Sequence, residues 1–195
     1  MAKRVRFCFL TLIATLTLTG CTERGQLLEV YDVKGSEATA RLTVDGNVVF
    51  TTSVYIGKNG IGKRREGDGK TPTGTLHAKS AFGVKANPGT TMPYIYITPS
   101  TFACDEDCEY YNRIIDTAKV HHRCKGEEMH NIVPQYNYGI ATDYNEKCNR
   151  KAGSNIFVHC KGTKAYTEGC IAMDEDRMKE LLMRCDRALK IKISK

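Results

Sequence analysis

The chain has 195 residues, enough for one domain with a sizeable core, and 41% of them are hydrophobic. It carries 29 lysines and arginines against 22 aspartates and glutamates, a formal net charge of +7. That mild excess suits an anionic cell-surface partner, and we expect no nucleic-acid ligand. The sequence has no internal repeat, low-complexity segment or interdomain linker, which excludes a repeat array and a string of domains.

The N-terminus has the layout of a secretory signal peptide. Basic residues precede an apolar run over residues 7–18, which is too short to span a bilayer comfortably, and small residues follow. The tetrapeptide Leu-Thr-Gly-Cys that ends at Cys21 resembles the bacterial lipobox, in which the cysteine is acylated and becomes the mature N-terminus. The alternative is ordinary cleavage nearby, which would leave Cys21 a plain thiol.

We therefore expect a signal peptide over residues 1–20, a lipidated tether over 21–27 and one folded domain over 28–195. Lipid on Cys21 would hold a monomeric domain beside a membrane, in the cell envelope and facing the periplasm. Thr22 resembles an outer-membrane sorting signal, if the source has two membranes.

The cysteine count bears on the chemistry. With Cys8 removed and Cys21 lipidated, seven cysteines remain: Cys104, Cys108, Cys124, Cys148, Cys160, Cys170 and Cys185. Disulfides persist in exported proteins, and an odd number leaves at least one thiol unpaired. The count does not identify that thiol, and the pairing of the others stays open.

Strand patterns come first along the chain. Apolar and polar residues alternate over residues 38–44, Asp45 and Gly46 favour a hairpin turn, and a β-branched and aromatic segment follows. Similar patterns predict strands over residues 27–33, 74–84, 94–98, 155–159 and 189–194. The polar stretch between the third and fourth of these holds four cysteines, so we expect loops pinned by disulfides, with a short helix over 109–116.

One amphipathic helix is predicted in the segment DEDRMKELLMRCDRA, near the C-terminus. Met178, Leu181, Leu182 and Cys185 share one face, and Asp174 can cap the start. The cysteine is therefore expected to point inward. The predicted fold class is a mainly β domain, sandwich- or barrel-like, with this one helix and long disulfide-pinned loops.

Two other motifs have plainer explanations. The segment REGDGKTPTG resembles a phosphate-binding loop, but that motif needs a glycine where Arg64 stands, so a sharp loop between strands is favoured. The basic run at residues 63–65 is interpreted as a solvated loop, with contact to a substrate carboxylate as the alternative. Cys104 and Cys108 have the spacing of zinc ligands, yet exported cysteines favour bridges, and we assign no metal site.

The block from residue 155 to 173 is different in kind. An apolar strand delivers His159 at its end, a turn-rich connection follows, and Cys170 comes directly after Gly169. A cysteine becomes a nucleophile when its thiolate is favoured and a base lies within reach, and backbone N–H groups beside it can hold an oxyanion. The competing interpretation is a core histidine beside a disulfide.

This block resembles the catalytic motif of the YkuD-like L,D-transpeptidases: a histidine, a variable connection, then Ser/Thr-x-Gly-Cys. His159, Thr167, Gly169 and Cys170 match it. A glycine-rich loop ending in TPTG and the run-up YNYGIATDYN resemble further parts of the family pattern, and the resemblance covers roughly residues 47 to 193.

The resemblance implies a β-sandwich-like catalytic domain that acts on peptidoglycan stem peptides without metal or organic cofactor. Cys170 would be the free thiol and attack the L-centre of a diamino-acid residue, with His159 handling the proton. Gly169, Thr167 and Glu168 would lie at the oxyanion or substrate. The acyl group would pass to an amine, or to water in a hydrolase.

The chain departs from the family pattern in two positions around the cysteine. Glu168 stands where histidine is common, and Ala172 where arginine or asparagine is common. With these two residues, the sequence around Cys170 resembles that of family members that trim stem peptides or detach wall-bound protein. We therefore keep two alternatives to the transpeptidase: a hydrolase, either an L,D-carboxypeptidase or an amidase-type enzyme, and a non-catalytic wall-binding lipoprotein silenced by a Cys160–Cys170 bridge.

Overall fold

A computed structural model describes residues 25–106 and 108–195. The predicted signal peptide, the lipobox-like tetrapeptide and Cys21 lie outside the described residues. The described elements are β1 Gln26–Lys34, β2 Glu37–Val44, β3 Asn47–Tyr55, β4 Gly74–Gly83, β5 Tyr94–Tyr96, β6 Thr101–Cys104, β7 Arg113–Asp116, β8 Gly126–Glu128, β9 Gly139–Thr142, β10 Phe157–Cys160, β11 Ile171–Met173, α1 Glu175–Arg184 and β12 Lys190–Ile193, with short 3-10 helices at Met129–Asn131 and Gln135–Asn137.

Eight strands close into a ring. The order is β12-β1-β2-β3-β11-β10-β9-β4, and β4 completes the circuit because it pairs with both β9 and β12, while β5 adds to the far end of β4. In β2, Ala38, Ala40 and Leu42 are buried and alternate with polar residues, the period of a strand with one face on a core. The mainly β, barrel-like expectation is confirmed.

The helix α1 packs onto this core. Met178, Leu181 and Leu182 are completely buried, as the amphipathic pattern predicts, and Cys185 at its end is buried too. Asp174 takes the capping backbone conformation, but its side chain makes no cap hydrogen bond and pairs with Lys161 at 3.2 Å. Within the described part of the chain, no helix has the length and apolar character needed to cross a bilayer.

The polar stretch after β5 is more ordered than the sequence predicts. Strands β6, β7 and β8 form a separate three-stranded sheet, and one disulfide, Cys108–Cys124, ties its connections together. The helix predicted over residues 109–116 is wrong: that segment is a turn followed by β7, because Ile114 and Ile115 pair with β6. Cys104, Cys148, Cys160, Cys170 and Cys185 are free.

Candidate active site

Strand β10 separates its side chains onto two faces. Val158 and Cys160 pack in the main core, whereas Phe157 and His159 lie on the opposite face. Strand β11 runs parallel to β10 with Val158 opposite Ile171 and His159 opposite Ala172. Since Cys170 is two residues before Ala172, its side chain lies on the His159 face as a diagonal neighbour.

His159 and Cys170 line one cavity of about 210 Å³, together with Tyr136, Glu127 and residues of the connection between β10 and β11. The structure therefore brings the two predicted catalytic residues together. Cys160 does not bridge to Cys170: its sulfur lies 3.5 Å from the Tyr138 carbonyl, on the core side of β10.

The imidazole of His159 is oriented by its own neighbour. Its Nδ1 lies 2.8 Å from the carbonyl oxygen of Cys160, which can only accept, so Nδ1 carries the proton and Nε2 is left as an acceptor. Burial lowers the pKa of His159 to about 4, against a smaller opposing effect of that hydrogen bond. The ring is therefore neutral at neutral pH and able to take a proton.

The thiol of Cys170 is held between two backbone groups. Its Sγ lies 3.1 Å from the Asn155 carbonyl, to which it donates, and accepts from the Phe157 N–H at 3.3 Å. Burial raises the pKa of the Cys170 thiol to about 12; the Phe157 N–H and Lys63 lower it, and Glu127 raises it further. The resting thiol is protonated, so it needs a base in order to react.

The turn before the nucleophile is closed by its own side chains. The Thr167 hydroxyl accepts from the Gly169 N–H at 3.1 Å and donates to the Cys170 carbonyl at 2.7 Å. A Cβ on Gly169, whose φ is 150°, would lie 2.9 Å from the Lys70 carbonyl oxygen, so glycine permits a close backbone approach there. The Gly169 N–H is thus engaged by Thr167.

Glu168 lies at the rim of the same cavity, where its exposed carboxylate pairs with Lys58 at 2.8 Å. Of the three residues predicted at the oxyanion or substrate, Thr167 and Glu168 line the cavity, whereas Gly169 shapes the turn behind the nucleophile.

The TPTG motif packs directly against this turn. Thr71 is fully buried, and its hydroxyl accepts from the Gly57 N–H at 2.9 Å and donates to the Cys170 carbonyl at 3.3 Å. A Cβ on Gly57 would lie 2.5 Å from the Gly69 carbonyl oxygen, so the segment that follows β3 can contact the loop this closely only because residue 57 is glycine. The two motifs that the sequence singled out form one unit.

The loop of residues 62–70 is folded around a carboxylate of the protein itself. Asp68 accepts from the backbone N–H groups of Arg64, Arg65 and Lys70 and pairs with Lys63 at 3.0 Å. These donors hold the pKa of Asp68 well below its usual range despite partial burial. The N–H groups that could have cradled a phosphate are already occupied.

The basic run at residues 63–65 is not uniformly solvated. Arg64 and Arg65 are exposed, but the side chain of Lys63 is only 2% exposed, so the solvated interpretation is wrong for this lysine. The buried ammonium of Lys63 stabilises the charged form of Cys170 and so lowers the pKa of its thiol.

Three cysteine sulfurs cluster elsewhere, in the three-stranded sheet. The Sγ atoms of Cys104, Cys108 and Cys124 lie within 4.8 Å of one another, and the last two are joined as the disulfide. Burial raises the pKa of the remaining thiol, Cys104, to about 11. Because Cys108 and Cys124 form the disulfide, only Cys104 of these three possible metal ligands keeps a free thiol.

Sequence reasoning missed three contributors to the site. Asn155 presents its carbonyl to the thiol from a left-handed conformation, φ 50°, while its N–H is held by Asn112. Glu127 and Tyr136 form a wall of the cavity. Both residues lie more than twenty positions before His159, so no local sequence pattern connects them with the site. Asn155, in contrast, is the first residue of the strand predicted over residues 155–159.

A free thiol and a neutral imidazole in one cavity of a β-barrel-like domain are the parts of a cysteine-nucleophile site. The family model described as the L,D-transpeptidase catalytic domain, YkuD, matches residues 29–193. The chain therefore belongs to this family, the YkuD L,D-transpeptidase catalytic domains.

Two solved structures resemble the fold over 88% of this chain. The helical cell shape determining protein Pgp2 from Campylobacter jejuni is 15% identical with a TM-score of 0.47, and the Ldtfm–avibactam carbamoyl enzyme is 12% identical with a TM-score of 0.43. The chain spans about half the length of each, 48% and 49%. No curated protein matches the chain significantly.

Proposed function

We propose that this protein is a cysteine acyltransferase that forms a thioester with a peptidoglycan stem peptide and passes the acyl group to an amine. The observation that carries the proposal is the unbridged Cys170 in one cavity with His159, whose Nδ1 is tied to a carbonyl so that Nε2 is free to act as base. Family membership supports the substrate class, a peptidoglycan stem peptide.

The proposed reaction begins from a neutral pair. Nε2 of His159 takes the thiol proton as Sγ of Cys170 attacks the carbonyl of the L-centre of a diamino-acid residue. The tetrahedral intermediate collapses, the C–N bond breaks, and the D-amino acid leaves with the proton returned by His159. An amine then attacks the thioester, His159 takes its proton, and the sulfur leaves with that proton restored.

A hydrolase is the second candidate, in which water replaces the amine acceptor. One observation favours it: Ala172, which stands where the family commonly has arginine or asparagine, lines the cavity and presents only a methyl group there. A loss of a polar contact at this position is consistent with a changed acceptor.

We also propose that the domain is tethered to a membrane through lipid on Cys21 and works as a monomer in the cell envelope, facing the periplasm. The lipobox-like sequence supports this location. Intact-mass analysis of the protein purified from membranes tests it, because an N-terminal diacylglyceryl cysteine adds a defined mass at residue 21, and a mature chain without that mass refutes the anchor.

Incubation with purified muropeptides tests the reaction. Released D-Ala with a new dimer identifies a transferase, and released D-Ala with a tripeptide identifies a hydrolase. The Cys170→Ala variant should lose both products, whereas Cys148→Ser, at a free cysteine outside this cavity, should keep them. If the wild-type protein changes no stem peptide, the enzymatic proposal fails and the wall-binding alternative stands.

A further inference from the structure

One wall of the cavity comes from the three-stranded sheet. Glu127, the middle residue of β8, is half-buried and faces the cavity that holds Cys170 and His159. Its carboxylate accepts a hydrogen bond from the hydroxyl of Tyr136, a buried residue whose ring meets His159 edge-on at 5.7 Å between centroids. The next residue, Glu128, is exposed and bonds to Asn131.

Glu127 has no cationic partner among residues 25–106 and 108–195. The lysines around the cavity are engaged elsewhere: Lys63 with Asp68, Lys58 with Glu168, and Lys164 over the Tyr166 ring. Even partial burial of a carboxylate is costly unless it is paired, and the Tyr136 hydroxyl donates only one hydrogen bond to Glu127. Burial raises the pKa of Glu127, the hydrogen bond from Tyr136 lowers it, and the nearby Asp105 raises it further.

We propose that Glu127 and Tyr136 form an ammonium subsite for the diamino-acid residue of the donor. Cys170 attacks the carbonyl at the L-centre of this residue, and the subsite binds the free amine at its other centre. This inference rests on the proposed function. A primary ammonium supplies the positive charge and the donors that the Glu127 carboxylate lacks. The attacking amine of an acceptor does not fit this role, because it must be unprotonated to react and a carboxylate favours its charged form.

The subsite also couples recognition to reactivity. Glu127 and Cys170 line the same cavity, where the negative charge of Glu127 disfavours ionisation of the thiol, so an ammonium bound to Glu127 offsets that charge when the correct donor is in place. A donor that lacks the amine leaves the carboxylate uncompensated beside the nucleophile.

The test compares two synthetic tetrapeptide donors that differ only by N-acetylation of the side-chain amine of the diamino-acid residue. Binding is measured by calorimetry on the Cys170→Ala variant, which cannot convert the peptide. The value of kcat/KM is measured on the protein that retains Cys170. We expect the free-amine peptide to bind at least about tenfold more tightly, as for a charge-assisted contact, and to react faster by a similar or larger factor.

The preference should vanish in Glu127→Gln and weaken in Tyr136→Phe, but persist in Glu128→Gln, the matched change on the exposed neighbour. Equal binding of both peptides, or a preference that survives Glu127→Gln, overturns the subsite. Absence of turnover with a retained binding preference would instead refute the proposed reaction alone, so the two failures are distinguishable.

Discussion

The closed ring and the three-stranded sheet meet at the active site but are built differently. The ring buries alternate side chains completely, such as Leu28, Leu42 and Ile171, and it carries His159 on β10 and Cys170 immediately before β11. Strands β6, β7 and β8 have only three or four residues, β7 and β8 are half-buried or exposed, and a disulfide ties their connections.

This difference assigns two tasks to two regions. The ring positions the reacting atoms through backbone contacts, which demands rigidity. The small sheet contributes Glu127 to the cavity wall, where we propose that it distinguishes a donor by charge. Stability is not uniform across a structure, and elements with few buried apolar contacts open first. The following changes test whether the two regions are separable in this way.

The largest effect is expected on the ring side, from Asp68→Asn. The ion pair with Lys63 is almost completely buried, so its loss leaves an unpaired ammonium behind Cys170 and should cost about 3–5 kcal/mol of unfolding free energy. Urea denaturation measures it. Glu146→Gln, which breaks the exposed pair with Lys79, should cost less than about 1 kcal/mol. Similar losses in both variants would contradict the buried role of Asp68.

Removal of the disulfide should act on the small sheet. The bridge closes a loop of 16 residues, and the double variant Cys108→Ser/Cys124→Ser should lose about 3 kcal/mol of local stability on chain-entropy grounds. Hydrogen exchange should accelerate in β6, β7 and β8 while β1, β2 and β3 keep their protection. Equal acceleration in both regions would mean that they unfold as one unit.

The histidine links stability to pH on the ring. Because the folded-state pKa of His159 is about 4 against 6.5 for the unfolded chain, protons bind the unfolded state preferentially between these values. Stability from this residue is therefore present above pH 6.5 and falls by about 2 kcal/mol from pH 7 to pH 5. Denaturation at both pH values should show a shallower fall in His159→Asn; an unchanged slope would place the titration elsewhere.

The smallest change concerns the contact between the two sequence motifs. Thr71→Val preserves shape but removes the hydroxyl that serves Gly57 and Cys170, and a buried N–H left without its acceptor should cost about 1–2 kcal/mol. Thr73→Val, in the same motif but exposed, is the matched control and should be neutral. If Thr71→Val were equally neutral, the TPTG loop would not support the nucleophile turn.

Local patterns predicted much of the ring. The alternation in β2, the Asp45-Gly46 turn and the buried face of α1 each reflect one period or one turn preference, and such signals need no partner. Strands β9 and β11 were not predicted, because four and three residues are too few to show a period. Residues 109–116 were misjudged because pairing with β6 outweighs the local preference.

The same division applies to the site. His159 and Cys170 could be proposed from their motif, since a strand end and a glycine turn are local features. Glu127, Tyr136 and the burial of Lys63 could not, because each depends on which distant segment packs against the cavity.

By itself, the amino-acid sequence determined the β character and the C-terminal helix, because those properties reside in residue type and short-range period, and its family motif singled out Cys170 and His159 as the candidate reactive pair. Tertiary structure alone decided that Cys160 faces the core while His159 faces the cavity beside Cys170, that Asp68 fills its own loop, and that Glu127 lies in the cavity wall next to Tyr136. Register, burial and charge compensation are relations between segments far apart in the chain, and they arise only when the ring closes.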